Sequence, residues 1–224
     1  MNLNDAVRKG NVADVERLIN MGADVNKTDN GDNRTPLYKA ITYNWTSMVE
    51  LLLKHGADPN VTDKYGITHL VWAIRYQRYN MVEIFLKHCA NPNIQNNKGE
   101  TSLHYINIWH PSILIETLLK HGANPNIKNN DGNTILHIIM KKRNTKYEKK
   151  IHLLRLFINS GADPNIQDKD GNTILHLYAL NLIKTKNKNI KQNDMIDVLF
   201  RLGVDSEIKN NKGKTAKDIL CNVI

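Results

Sequence analysis

The chain has 224 residues, 41% of them apolar, and its 31 Lys and Arg against 22 Asp and Glu give a formal charge of +9. Two cysteines, Cys89 and Cys221, exclude a disulfide framework and a four-cysteine zinc site, so the fold must stand on packing alone. No apolar run approaches the roughly 20 residues that span a bilayer, and MNLNDAVRKG lacks the apolar core of a signal peptide, so a soluble, cytoplasmic protein is expected.

From the N-terminus onward one string keeps returning. Gly22-Ala23-Asp24-Val25-Asn26 is followed by Gly56-Ala57-Asp58-Pro59-Asn60, Cys89-Ala90-Asn91-Pro92-Asn93, Gly122-Ala123-Asn124-Pro125-Asn126 and Gly161-Ala162-Asp163-Pro164-Asn165, with a decayed copy at Gly203-Val204-Asp205-Ser206-Glu207. The intervals are 34, 33, 33, 39 and 42 residues. Before each copy an apolar triplet recurs at helical spacing, as in Val49/Leu52/Leu53, Val82/Phe85/Leu86 and Leu154/Phe157/Ile158, which predicts a helix with one buried face. The glycine after it suits a left-handed helix stop. A second string follows, Thr35-Pro36-Leu37-Tyr38, Thr68-His69-Leu70-Val71, Thr101-Ser102-Leu103-His104, Thr134-Ile135-Leu136-His137 and Thr173-Ile174-Leu175-His176. Its Thr is the predicted N-cap of another helix. Gly66, Gly99, Gly132, Gly171 and Gly213 mark the tight turn between the two strings.

The unit is therefore helix, short connection, helix, glycine stop and turn, at 1–32, 33–66, 67–99, 100–132, 133–171 and 172–213, with a half-repeat at 214–224. Cys89 in a glycine position predicts an altered helix stop, and the first turn, 29–33, holds one extra residue. Repeats five and six are six and nine residues longer between their helices, and these additions are expected to be loops. In the half-repeat, Ala216, Ile219 and Leu220 can cover the preceding helices.

A period of about 33 residues with this Thr-Pro-Leu-His-like start resembles the ankyrin repeat over nearly the whole chain. The resemblance implies an all-α ankyrin-repeat solenoid of helix-turn-helix units with short β-turn fingers, one domain over 1–224, acting as a non-catalytic protein-binding module and a monomer. Carried over by register, the family's contact positions give a partner-binding groove with Tyr43, Lys64, Tyr65, Arg75, Tyr76, Lys98 and Trp109. Tyr, Trp and Arg dominate binding hot spots, which favours this face. The abundance of Asn, Lys and Ile, with the insertions, is similar to ankyrin proteins of AT-rich intracellular pathogens such as poxviruses and rickettsia-like bacteria. That likeness implies a host-directed partner protein.

Other chemistries find less support. His104, His137 and His176 form one column and His55, His88 and His121 another, but packed helices lie about 8–10 Å apart, too far to share an ion whose ligands sit within about 2.3 Å. No metal site is expected, and the resemblance makes the first column structural. No nucleophile motif, phosphate loop or carboxylate pair appears, so neither catalysis nor a cofactor is expected. The charge is local: Lys141, Lys142, Arg143, Lys146, Lys149 and Lys150, with Glu148, carry +5, and Lys184, Lys186, Lys188 and Lys191 carry +4, which accounts for the whole surplus. Both runs fall in the lengthened connections of repeats five and six and form a basic patch, the alternative site, for nucleic acid or anionic lipid.

Overall fold

The structure, a computed structural model, describes residues 2–28, 34–142, 146–185 and 191–221. The extended first turn, Arg143, Lys186 and Lys188 lie outside these residues. Among the described residues every regular element is helical, and the one bridge between extended residues joins Thr62 to Thr68 across a finger turn. The fold is the expected all-α ankyrin-repeat type, arranged in two compact units.

The first unit, Met1–Tyr105 with Ser112–Ala123, holds helices α1 (Leu3–Arg8), α2 (Val12–Asn20), α3 (Pro36–Thr42), α4 (Thr46–Lys54), α5 (His69–Arg75), α6 (Tyr79–Lys87) and α7 (Ser112–Lys120). Pairs α1–α2, α3–α4 and α5–α6 are antiparallel hairpins, and α1, α3 and α5 stack on one another. Ala6, Ala40 and Ala73 are fully buried at equivalent places on these first helices. The predicted faces are buried: Val49, Leu52 and Leu53 on α4, and Val82, Phe85 and Leu86 on α6. The second unit, Ile106–Pro111 with Asn124–Ile224, holds α8 (Ile135–Lys141), α9 (Tyr147–Asn159), α10 (Ile174–Thr185), α11 (Lys191–Arg201) and α12 (Ala216–Cys221). Here α8 packs on α9 and α10, and α12 covers α10 with Ala216 and Ile219 buried.

Two expectations change. The added residues of repeats five and six go largely into helix rather than loop, since the second helix α9 has 13 residues where α4 and α6 have 9, and the first helix α10 has 12 where α3, α5 and α8 have 7. In repeat four the first helix shrinks to a single 3-10 turn, Ser102–Tyr105. The cause is Asn107. It stands where Ile41, Ile74 and Met140 fill the core of other repeats, and its side chain accepts the Trp109 amide at 2.8 Å while its own amide donates to His110 Nδ1 at 3.0 Å. Local side-chain bonds replace the helix ladder.

Neighbouring repeats are joined by the last asparagine of each string. Asn26 Nδ2 donates to Gly56 O at 3.2 Å while its Oδ1 accepts the Asp58 amide at 2.9 Å. Asn60 does the same to Cys89 O and the Asn91 amide, and Asn126 to Gly161 O and the Asp163 amide. Each finger turn among the described residues is closed by an Asp or Asn three residues before its glycine. Asp63 Oδ1, for example, accepts the amides of Tyr65 and Ile67, and Asn96, Asn129, Asp168 and Asn210 repeat the pattern.

The histidine column caps first helices. Thr134 N–H donates to His137 Nδ1 at 3.2 Å, and His137 Nε2 lies 3.1 Å from Asn172 O. A backbone amide only donates and a carbonyl only accepts, so the ring is neutral with its proton on Nε2. His176 repeats this between Thr173 N–H and Lys214 O. Burial holds the His137 ring below the usual histidine range, and pushes the fully buried His69, 2.7 Å from Thr35 Oγ1, down to about 4.

Cys89 adopts φ +61°, the conformation its glycine counterparts use, and stops α6 with the same backbone bonds. A side chain in that region costs about 1 kcal/mol. Cys89→Gly is therefore expected to raise the urea midpoint by that order, and a lowered midpoint would refute the strain. Stability also depends on pH through His69. Above pH 6.5 the ring is neutral in both states. Between 6.5 and about 4 the unfolded chain takes up a proton that the fold excludes, so stability falls with pH by about 3 kcal/mol in all. The urea midpoint of His69→Gln is expected to fall less between pH 7 and pH 4.5 than that of the wild type, and parallel losses would count against this assignment.

Candidate functional site

The groove residues proposed for the first unit lie on its finger turns and at the outer ends of its first helices. Tyr43 follows α3 and Tyr76 follows α5 in the same register, 49% and 36% exposed. Tyr65 sits at a finger tip, 58% exposed, with Lys64 Nζ 5.3 Å above its ring. Lys98 is exposed on the next finger, its amide bound by Asn96 Oδ1.

These residues are organised by three aromatics that register alone did not single out. Trp72, half-buried on α5, stacks with Tyr76 at 5.4 Å and 25° and meets the edge of Tyr38 at 5.4 Å and 85°. Its Nε1–H donates to Asp63 Oδ2 at 3.0 Å, which ties the helix face to the finger turn that Asp63 closes. The Arg75 guanidinium lies 4.6 Å over Trp72 and 5.7 Å from Tyr105 of the next repeat. Arg34 sits 4.9 Å over Tyr38. Tyr105 Oη accepts from Asn96 Nδ2 at 2.7 Å. Burial, with the Tyr76 hydroxyl beside one and the Glu100 carboxylate beside the other, pushes the phenols of Tyr38 and Tyr105 up to about 12. Both stay protonated at neutral pH. The result is a ladder of rings across three repeats, Tyr38 on Trp72 and Trp72 linked through Arg75 to Tyr105, with Arg34 laid over its first ring. A signal for it existed: Trp72 and Tyr105 are 33 residues apart, one repeat.

Trp109 belongs to the second unit. It projects from the segment broken by Asn107, 77% exposed, with Lys149 Nζ 5.7 Å from its ring. The basic patch proves heterogeneous. Lys141 Nζ binds Asp168 Oδ2 at 3.1 Å and Asn133 Oδ1 at 2.5 Å, and the Asp168 side chain is 3% exposed. Lys150 Nζ donates to the carbonyls of Met140 and Lys142 at the end of α8. Burial holds the ammonium groups of Lys142 and Lys150 below the ordinary lysine range. Lys146 and Lys149 are exposed, and Lys184 and Lys191 fall within α10 and α11. Lys141 and Lys150 are thus parts of the fold.

Comparison with known proteins follows the repeat. The family described as "Ankyrin repeats (3 copies)" matches residues 3–96 and 80–147, and the single ankyrin repeat matches 131–169. Over 66 residues the chain is 41% identical to the 2-5A-dependent ribonuclease of Mus musculus, a stretch that is 30% of this chain and 9% of that protein. Over 63 residues it is 35% identical to the ankyrin repeat protein FPV018 of fowlpox virus, again 28% of this chain and 9% of the other. The chain thus spans under a tenth of the length of either relative, and a mammal and a virus together establish no source. Among solved structures, the ankyrin repeat domain of Bcl-3, a member of the IkappaB protein family, is similar with a TM-score of 0.80 and 23% identity, over 99% of this chain and 96% of that one. That likeness is one of fold.

The two kinds of lysine separate in a stability experiment. Lys141→Ala leaves the buried Asp168 carboxylate without its cation and is expected to cost about 1–3 kcal/mol, whereas Lys149→Ala stays within about 0.5 kcal/mol. Equal urea midpoints for the two variants would contradict the structural role of Lys141.

Proposed function

This chain belongs to the ankyrin-repeat family, and from that premise we propose that it holds a folded protein partner on the aromatic and basic face of its first unit. Ankyrin repeats generally mediate protein–protein interaction, and the fold is generally a non-enzymatic scaffold. The observation that carries the assignment is the Arg34–Tyr38–Trp72–Arg75–Tyr105 ladder, flanked by exposed Tyr43, Tyr65 and Tyr76. Aromatics and arginines pre-positioned by their own stacking lose little entropy on binding, which is why they serve as anchors. Such a protein acts as a monomer in the cytoplasm, with Trp109 as a further contact. Polyanion binding at the basic patch has less support, because two of its lysines are committed inside the second unit.

The test is recovery of partners from host-cell lysate by the wild type and by Tyr65→Ala/Tyr76→Ala. Tyr65 is exposed and Tyr76 packs only on the surface ring of Trp72, so the variant is expected to stay folded with a modestly lower melting temperature while losing at least about tenfold in partner recovery. Undiminished recovery by the folded variant would remove this face from the account.

A further inference from the structure

Two clefts of the first unit adjoin at the start of α6, where both are lined by Tyr79 and Asn80. One, of about 250 Å³, is also lined by Arg78, Asn44, Gln77 and Thr46, and by no acid. The other, of about 210 Å³, lies between α6 and α7 against Val82, Leu114 and Ile113, and Ile113 is 66% exposed. Its one acid, Glu83, is paired with Lys87 at 2.8 Å, as Glu50 of α4 is with Lys54 at 2.9 Å. Arg78 stands just before the second helix of its repeat, where Asn11 stands in the first repeat. Asn11 commits its side-chain oxygen to the Asp14 amide and so caps α2, whereas the Arg78 side chain makes no capping bond. Among the described residues no hydrogen bond or ion pair engages its guanidinium. Its Nε is enclosed without a partner, a cost to stability that no bond within the protein offsets. The two Nη groups are therefore the part of the head that meets solvent.

We propose that this double cleft receives the carboxy-terminal end of a partner polypeptide, with the terminal carboxylate on the Nη groups of Arg78 and an apolar side chain beside Ile113. The site lies at the turn after α5, at the opposite end of that helix from the finger turn that Asp63 closes. It stands or falls separately from the aromatic face. The chemistry of its walls selects the ligand. A guanidinium fork matches the two oxygens of a carboxylate. An exposed isoleucine beside buried Val82 and Leu114 offers apolar surface to a side chain. Asn44, Gln77 and Asn80 carry side-chain amides that take part in no hydrogen bond among the described residues. Each such amide both donates and accepts, as the backbone of a peptide does. A fatty acid has the carboxylate and the apolar chain, but it would lay hydrocarbon against those amides at the cost of their hydration. A phosphate group would bring nothing apolar to Ile113.

The experiment is a heteronuclear NMR titration of the full chain with four probes. They are an N-terminally blocked Ala-Ala-Leu-Leu peptide with a free carboxylate, the same peptide as its C-terminal amide, the Ala-Ala-Ser-Ser acid, and octanoate. Saturable shifts of the Arg78 Nε–H and the Ile113 methyl groups are expected with the Leu-Leu acid. Its amide and the Ser-Ser acid are each expected to bind about tenfold more weakly, the loss of a charge-assisted contact in one case and of apolar burial in the other. Arg78→Gln is expected to weaken the Leu-Leu acid about tenfold and to bind acid and amide alike, while Arg8→Gln in α1 leaves both affinities unchanged. Melting curves confirm that the variants are folded, and the comparison of acid with amide on the wild type needs no variant. Equal binding of acid and amide, wild-type affinity in Arg78→Gln, or no saturable shift at Arg78 and Ile113 overturns the proposal. Tighter binding of octanoate than of the Leu-Leu acid also overturns it and assigns the cleft to a fatty acid.

Discussion

Each asparagine that closes a Gly-Ala-Asp-x-Asn string works in two directions at once. Its amide nitrogen donates to the carbonyl of the next repeat's helix-stop residue, and its oxygen accepts an amide two positions further on, as Asn26 does to Gly56 and Asp58 and Asn165 to Gly203 and Asp205. These are the orphan backbone groups that a helix end and an extended segment leave behind, so one side chain satisfies both. A repeat of two short helices cannot bury its apolar face by itself and depends on its neighbour for a core. The asparagine bridge fixes how that neighbour is seated. Within each unit it sets the register that places equivalent side chains of successive repeats side by side.

That register comes at a conformational cost, and the cost is spread unevenly. The stop after each second helix needs a left-handed residue, supplied by glycine except at Cys89, and the stops after α1, α3 and α5 use one too, supplied by Gly10, Asn44 and Gln77, whereas α8 ends on Lys142 in an extended conformation. Only glycine adopts that conformation without penalty. At Gly171 a second reason applies, since a side chain there would run into the Asn211 amide of the next finger. Positions that serve neither the stop nor the bridge are released from these constraints. Tyr65, Arg75 and Tyr76 occupy such positions, and their side chains take no part in the stops or the asparagine bridges.

The fold was legible because its determinants recur at one period: the Thr caps, the apolar triplets and the glycine stops are each visible as columns of the same residue type. The finger-closing column was missed for a related reason. Asp63, Asn96, Asn129, Asp168 and Asn210 alternate between two residue types, and in an Asn-rich chain the column is hidden among ordinary surface asparagines. Asn107 was missed because a single polar residue in a core position counts little against a strong periodic pattern, yet two local hydrogen bonds suffice to end a helix of two turns. The aromatic ladder was half visible. Tyr43, Tyr65, Arg75 and Tyr76 stand at family contact positions, whereas Trp72 lies mid-helix and Tyr105 at the matching place one repeat later, where apolar periodicity assigns them to the core. Half-burial is the property that periodicity cannot express: Trp72 packs on one side and organises the surface on the other.

The net charge of +9 illustrates the same distinction between a sum and an arrangement. Lys141 and Lys150 add to the surplus as much as any lysine, but one is held by a buried carboxylate and the other caps helix carbonyls, so a ligand at either must compete with a bond of the fold. Arg75 contributes one unit to a region whose charges nearly cancel, yet it is exposed and its guanidinium lies between the rings of Trp72 and Tyr105. An exposed, flexible lysine must be ordered and partly desolvated when it binds, and that cost offsets most of what a surface ion pair gains. A stacked arginine has already lost much of that freedom in the unbound protein. Net charge therefore counts the cations of a chain, and only their packing says which of them are already ordered before any ligand arrives.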